Sequence, residues 1–317
     1  MKTTNLFILG AAALAFAACS NEEEAMVTDG PVAAQVTASI GAERNTRAAG
    51  TAWDKGDAIG ISGTTGDKTY TNVQYTTTGG GLFTVVDPVQ AIYYQTDDEA
   101  TFTAYYPWEA LADGATTISA DTWAQADQKK FDFLWARAKG KKAAPNVAFT
   151  FAHKMAKVVL TIKKGADVSY DEVKEAVLSL EGFKHEGTFD VTNGYASATG
   201  NSSVMWEFAN SADNPAWNTP TIVRDDEKQT VSYTLLFFPQ EFDVPLPFSA
   251  TLKGSQSFSA ALDFSAANEA AGGLKKNRWV SGRQYNLSVT LHKTGITVDG
   301  CTIAPWNEAD GGNVDAE

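Results

Sequence analysis

The sequence predicts an all-β protein, folded as two antiparallel β-sandwich bodies in tandem. Three observations carry this. Short apolar runs alternate with polar residues at period two. Turn signals such as Gly79-Gly80-Gly81 and Asp87-Pro88 separate these runs at regular spacing. Long helical patterns are nearly absent, while glycine and threonine are plentiful. Many short strands in series favour sandwiches over parallel βαβ units. The formal charge of −13 leaves no basic patch to neutralise phosphates, which argues against a nucleic-acid partner and suits a self-repelling surface protein.

The chain opens with Lys2 and a short apolar run, Leu6 to Ala18, too short to span a bilayer and of the form of a secretory signal over 1–18. It ends Phe16-Ala17-Ala18-Cys19, which resembles a bacterial lipobox, in which the cysteine is acylated and becomes the new N-terminus. Cys19 is therefore the expected lipidation site, and acyl chains there would hold the protein on a membrane. The acidic run Glu22-Glu23-Glu24 lies in a solvated tether, 19–31, and resembles an export signal to the outer surface.

Next comes the stretch on which the functional reading turns. Val32, Ala34, Val36, Ala38 and Ile40 alternate with Ala33, Gln35, Thr37 and Ser39, the pattern of a strand with one buried face. It is expected at the edge of the leading sandwich. Arg44 and Arg47 follow directly and are the only arginines in the first hundred residues. A trypsin-like cut at either would separate the anchor and this strand from the folded body. Two alanines among five inward positions make it a modest plug, since each large aliphatic side chain contributes about 1.5–3 kcal/mol and alanine far less.

The first body is expected over 32–146. Trp53 leads into the turn Lys55-Gly56-Asp57, and then strands run over Ile59 to Ile61, Thr69 to Thr77, Leu82 to Val86, Ala91 to Tyr94 and Thr101 to Tyr106. Glu109 to Lys130 lacks a clear period and reads as a long surface loop. Phe131 to Ala136 reads as a closing strand, and Arg137 to Asn146, with three lysines and Pro145, as a charged linker. The second body, 147–317, begins with Phe149, Phe151 and His153 on one face and Val158, Leu160 and Ile162 on the next run. Val173 to Leu180 reads as a short helix or a strand. Further strands are expected at Gly187 to Val191, Ser203 to Phe208, Thr230 to Phe238, Phe248 to Leu252 and Gln256 to Leu262, with a brief helix near Ala266 to Leu274. Tyr285, Leu287, Val289 and Leu291 alternate most cleanly of all, and Gly295 to Trp306 forms a last extended piece before an acidic tail.

Candidate chemistry is sparse. With Cys19 lipidated, Cys301 stands alone and reads as a small core residue, so no intramolecular disulfide is expected. His153, His185 and His292 do not cluster, so no metal site and no cofactor is expected. There is no G-x-S-x-G elbow, H-E-x-x-H or phosphate loop, and the pairs Asp97-Asp98 and Asp225-Asp226 lie in turn-like segments, so no enzyme is expected. Trp108, Trp123, Trp206 and Trp217 offer an alternative, a monomeric surface lipoprotein that stacks sugars on exposed rings.

Several pieces together resemble the fimbrillin family, subunits of the type V pili of Bacteroides-like bacteria. They are the lipobox at Cys19, the pre-strand with Arg47, Trp53-Asp-Lys-Gly-Asp-Ala-Ile-Gly-Ile61, Phe151-Ala-His-Lys-Met-Ala-Lys157, Tyr233-Thr-Leu-Leu-Phe-Phe-Pro-Gln240, Trp279-Val-Ser-Gly-Arg-Gln-Tyr285 and Gly295-Ile-Thr-Val298 leading to Pro305-Trp306. The resemblance implies two transthyretin-like β-sandwich domains, lipoprotein export to the outer membrane and cell surface, and a structural or adhesive role in a fimbrium. It further implies that a protease cuts at Arg47, or at the competing Arg44. The leading strand would then leave a groove for the terminal strand of another subunit, here 295–306 with anchors Ile296, Val298, Ile303 and Trp306. The implied partners are other fimbrial subunits, the membrane, the processing protease and a host or glycan ligand.

Overall fold

A computed structural model describes residues 30–41, 53–202, 205–209, 220–252 and 256–306. It is all-β, with strands dominating and short helices only. In the first body β1 (Val32–Ala33) and β2 (Gln35–Ile40) lead. They are followed by β3 (Ala58–Thr65), β4 (Lys68–Thr77), β5 (Leu82–Val85), β6 (Tyr93–Tyr94) and β7 (Ala100–Tyr106). β8 (Thr117–Asp121) leaves this body, and β9 (Leu134–Gly140) and β10 (Asn146–His153) return to it. Seven of these strands close into a ring in the order β10-β2-β5-β4-β3-β7-β9, while β1 pairs with β6 beside it. The ring includes one parallel ladder, β2 with β10.

The repeated glycines of β3 explain how the ring packs. Ile59 and Ile61 point into the core, while a Cβ on Gly60 would stand 2.4 Å from the Tyr105 ring and one on Gly63 2.4 Å from the Phe102 ring. Only glycine lets the aromatic strand β7 approach that closely. The core beneath holds Val36, Trp53, Tyr75, Phe83, Tyr94, Phe102, Phe149 and Phe151.

Three expectations for this body change. The leading strand is not an edge: it has β5 on one side and β10 on the other. Arg137 to Gly140 belongs to β9, whose Ala136 and Ala138 are buried while Arg137 and Lys139 point outward. The basic stretch is thus a β9–β10 hairpin closed by the Lys141–Ala144 bridge, and it is not a linker. β10 completes the ring, so the chain crosses to the second body after His153, later than the expected 146/147 boundary.

The second body begins with β11 (Ala156–Lys164). Next come α1 (Tyr170–Glu175), β12 (Val177–Leu180), β13 (Glu186–Asp190), β14 (Tyr195–Ala198), β15 (Trp206–Ala209), β16 (Thr221–Asp225), β17 (Thr230–Phe237), β18 (Gln240–Phe242), β19 (Leu246–Leu252) and β20 (Gln256–Leu262). α2 (Ser265–Ala270), β21 (Asn277–Trp279), β22 (Arg283–His292) and β23 (Gly295–Pro305) complete it. One sheet is β16-β17-β11-β22-β23 and the other β15-β12-β19-β20, and their inner faces share one core from Ala156 to Leu291. The stretch read as helix or strand is both. Ser169 and Glu172 form a capping box that starts α1, and β12 follows after Ala176.

The expected surface loop, Glu109 to Lys130, instead ties the bodies together. β8 pairs with β13 of the second body. The buried Gln125, in a 3-10 segment over Gln125–Lys130, donates to the Leu236 carbonyl at 2.9 Å and accepts from the Leu236 N–H at 2.9 Å. A third apolar cluster fills this junction, with Phe133 stacked on Phe189 at 4.5 Å and Met155, Phe238 and Trp306 around them.

Candidate functional site

The candidate site is the seat of β2. Gln35 to Ile40 runs parallel to Asn146 to Phe151, whereas the ladder to β5 covers only Val36–Phe83 and Thr37–Leu82. Val36 is 2% exposed and Ala38 8%; Ala34 and Ile40 are half-buried against the same core, and Val32 lies half-buried on β1 opposite Tyr94. Further backbone bonds fix the ends: Ala34 N–H to Ile92 O at 2.8 Å, Gln35 N–H to Pro145 O at 2.9 Å and Gly41 N–H to Phe151 O at 2.8 Å. Beyond the end of the short β5 ladder, Ala38 N–H donates to Gly81 O at 2.8 Å, and the Trp53 indole N–H donates to Ala38 O at 2.9 Å. Trp53 was legible only as the start of a turn motif, and nothing in its spacing marks it as a partner of the leading strand.

β11 also lies between one parallel neighbour, β22, and one antiparallel neighbour, β17. Its ladders, however, run along Lys157 to Lys164 and Ala156 to Lys163, and its inward Val158, Leu160 and Ile162 are all fully buried. β2 therefore holds the same topological position with a fraction of the ladder and smaller anchors.

The second half of the site is β23. It pairs only with β22, at the end of its sheet. Ile296, Val298, Cys301 and Ile303 pack half-buried against the second core. The ladder shifts between Ser288 and Val289, and there the Asp299 carboxylate accepts from Ser288 Oγ at 3.0 Å and Thr290 Oγ1 at 2.9 Å, with Lys163 Nζ at 3.4 Å. Trp306 does not share the core of the other three anchors. It sits at the junction, its ring stacked on His153 at 3.7 Å and its backbone N–H donating to Gly282 O at 2.9 Å. His153 in turn contacts Asp132 Oδ1 through Nδ1 at 2.8 Å. Burial pushes the Cys301 thiol up to about 12, which keeps it a protonated packing group.

The remaining candidates separate. Cys19, Arg44, Arg47, Trp217 and the expected signal segment lie outside the described residues. The chain leaves β2 at Gly41 and is described again from Trp53, so both arginines fall in the connection between them. Trp206 is fully buried, Trp108 is half-buried with its indole N–H on Asn72 O at 3.3 Å, and Trp123 is 46% exposed. They form no shared sugar platform. Among the described residues no group of three His, Cys, Asp or Glu is placed to hold a metal ion.

The profile of fimbrillin-like proteins matches residues 46–306. The chain belongs to the fimbrillin-like family. A relative from Bacteroides uniformis, named as a candidate fimbrium subunit, Fim1C, is 29% identical with 98% of each chain covered. A crystal structure of a candidate cell adhesion protein from Bacteroides uniformis shares the fold at a TM-score of 0.65 and 25% identity, covering 87% of this chain and 99% of that one. One from Bacteroides ovatus, at 22% identity and covering 87% and 98%, has the same fold at a TM-score of 0.67. In this fimbrillin-like chain the family match begins after β2 and ends on Trp306.

Proposed function

We propose that this fimbrillin-like chain is a structural and adhesive subunit of a cell-surface fimbria, added to the polymer by strand replacement. It reaches the outer membrane as a lipoprotein acylated at Cys19, and a trypsin-like or arginine-specific protease cuts at Arg47 or Arg44. β2 then leaves, and the terminal strand of another subunit enters its place. The observation that carries this reading is the seat of β2: a strand within a closed ring, short on one ladder, joined to the rest by a connection that contains Arg44 and Arg47.

The physics is compatible. Val36 is the one deeply buried aliphatic anchor of β2, worth about 1.5–3 kcal/mol. Hydrogen bonds to β10 and β5 add about 0.5–1.5 kcal/mol each, and any incoming strand restores them. Without a strand there, the facing edges of β5 and β10 would stand unpaired over Phe83, Phe149 and Phe151, which strongly favours refilling by strand addition. β23 is suited to leave its own body because it breaks one ladder, not two. The role is structural and assigns no catalytic step.

The test is mild trypsin treatment of full-length secreted protein carrying Cys19→Ser, with N-terminal sequencing and sizing. A new N-terminus at Ala48, loss of the 19–47 fragment and a ladder of oligomers support the reading. A cut product that keeps its fragment and stays monomeric overturns it.

A further inference from the structure

We infer that the β2 seat selects strands by size at one position: it admits a small residue where Ala38 sits, and Trp53 with Gly81 reads the backbone there. This rests on the strand-replacement reading above. At Ala38 both backbone polar groups meet fixed partners, Gly81 O for the N–H and the Trp53 indole for the carbonyl. Trp53 is 6% exposed and wedged edge-on against Phe83, Phe151 and Tyr106, with ring centroids 5.1, 5.3 and 5.5 Å away. On the other side a Cβ on Gly81 would stand only 2.6 Å from Ala38 O. The guest backbone is thus clasped between a buried indole and a glycine that must remain a glycine, and Ala38 is buried in the same core as those rings.

The clasp has two consequences. It fixes register, because the indole N–H is a buried donor that needs a carbonyl at that one point. It also limits size, since a larger side chain at that position would enter a core already filled by Trp53, Phe83, Phe149 and Phe151. Two residues earlier the seat takes a full aliphatic, Val36. The specification is therefore an aliphatic residue followed, two positions on, by a small one. The terminal segment of a second copy supplies it: Val298 and Gly300 stand in that order and spacing, with Ile296 falling on the position of Ala34. The seat is thus matched to a second copy of this chain, with Val298 replacing Val36 and Gly300 replacing Ala38.

The experiment uses the full chain, cut with trypsin and freed of its leading fragment. It is titrated calorimetrically with synthetic peptides of residues 30–41 and 295–306, the latter with Cys301→Ser. Ala38→Leu in the first peptide and Gly300→Leu in the second are expected to weaken binding by about 30-fold, the middle of the overpacking range. Ser39→Leu, on the outward face, is expected to change it by less than about threefold. Trp53→Phe in the protein removes the donor together with the second ring of the indole, and is expected to cost about tenfold or more. Equal binding of the Ala38→Leu and unaltered peptides overturns size selection while leaving strand replacement intact. Failure of both unaltered peptides to bind overturns strand replacement, and this inference with it. A second measurement does not depend on cutting: in the intact chain Ala38→Leu must lower the thermal midpoint more than Ser39→Leu, and equal midpoints overturn the inference.

Discussion

Val36→Ala is the sharpest perturbation of the leading strand. Val36 is 2% exposed and faces Phe83 across one ladder and Val147 across the other. The change removes two buried carbons, at about 0.8 kcal/mol each for transfer, and leaves a small cavity that brings the total to about 2 kcal/mol. In the intact chain this appears as a lower urea midpoint with an unchanged slope. After cleavage the same loss falls on the dissociation of a fragment that is no longer tethered. About 2 kcal/mol then speeds its release roughly 30-fold. The assay follows the 19–47 fragment by mass spectrometry after cutting, with Val223→Ala as control, since Val223 is 59% exposed on β16. Release of the Val36→Ala fragment at the unaltered rate would refute the claim that side-chain burial, and not the connecting segment alone, holds the strand in place.

Other expectations follow from particular contacts. Burial among Trp123, Phe183, Trp206 and Phe237 holds the His185 imidazole down to about 4, and both ring nitrogens are buried without a bonding partner. A base whose folded value is depressed favours the fold while neutral, so its contribution is complete above about 6.5 and is lost as pH falls from there towards 4. His185→Phe should flatten that acid limb in pH-dependent urea melts, and an unchanged limb would assign it to other groups. Gln125→Leu leaves the buried N–H and C=O of Leu236 without their partner and should cost about 3 kcal/mol in a urea melt. Trp306→Ala removes the stack on His153 and should speed hydrogen exchange of the Trp306-segment amides by about tenfold or more, while β22 amides facing β11 stay protected.

Strands with long, clean alternation were legible from the residues alone: Val36 and Ala38 point inward on β2, as do Tyr285, Leu287, Val289 and Leu291 on β22. β8 was not, because Ile118 and Ala120 are its only inward residues and the strand that completes it, β13, lies almost seventy positions on. The second half of β9, Arg137 to Gly140, reads as a linker because its buried face there is only Ala138 and Gly140, small residues beneath the outward Arg137 and Lys139. The ring position of β2 was hidden for a related reason. Period two gives a strand's faces but not its neighbours, and only the parallel register with β10 shows that it is flanked on both sides. Gln125 and His185 carry no sequence signal at all, since a buried polar group is defined by residues far away in the chain.

Strand replacement requires β2 to be a removable occupant of an otherwise intact body. Hydrogen exchange before and after trypsin cleavage and removal of the leading fragment tests it most directly. Lost protection is expected in Asn146 to Phe151 and at Leu82 and Phe83, with β3, β4, β7 and the second body unchanged. Exchange throughout the ring at the unfolded rate, or full protection of β10 with the fragment gone, would contradict it.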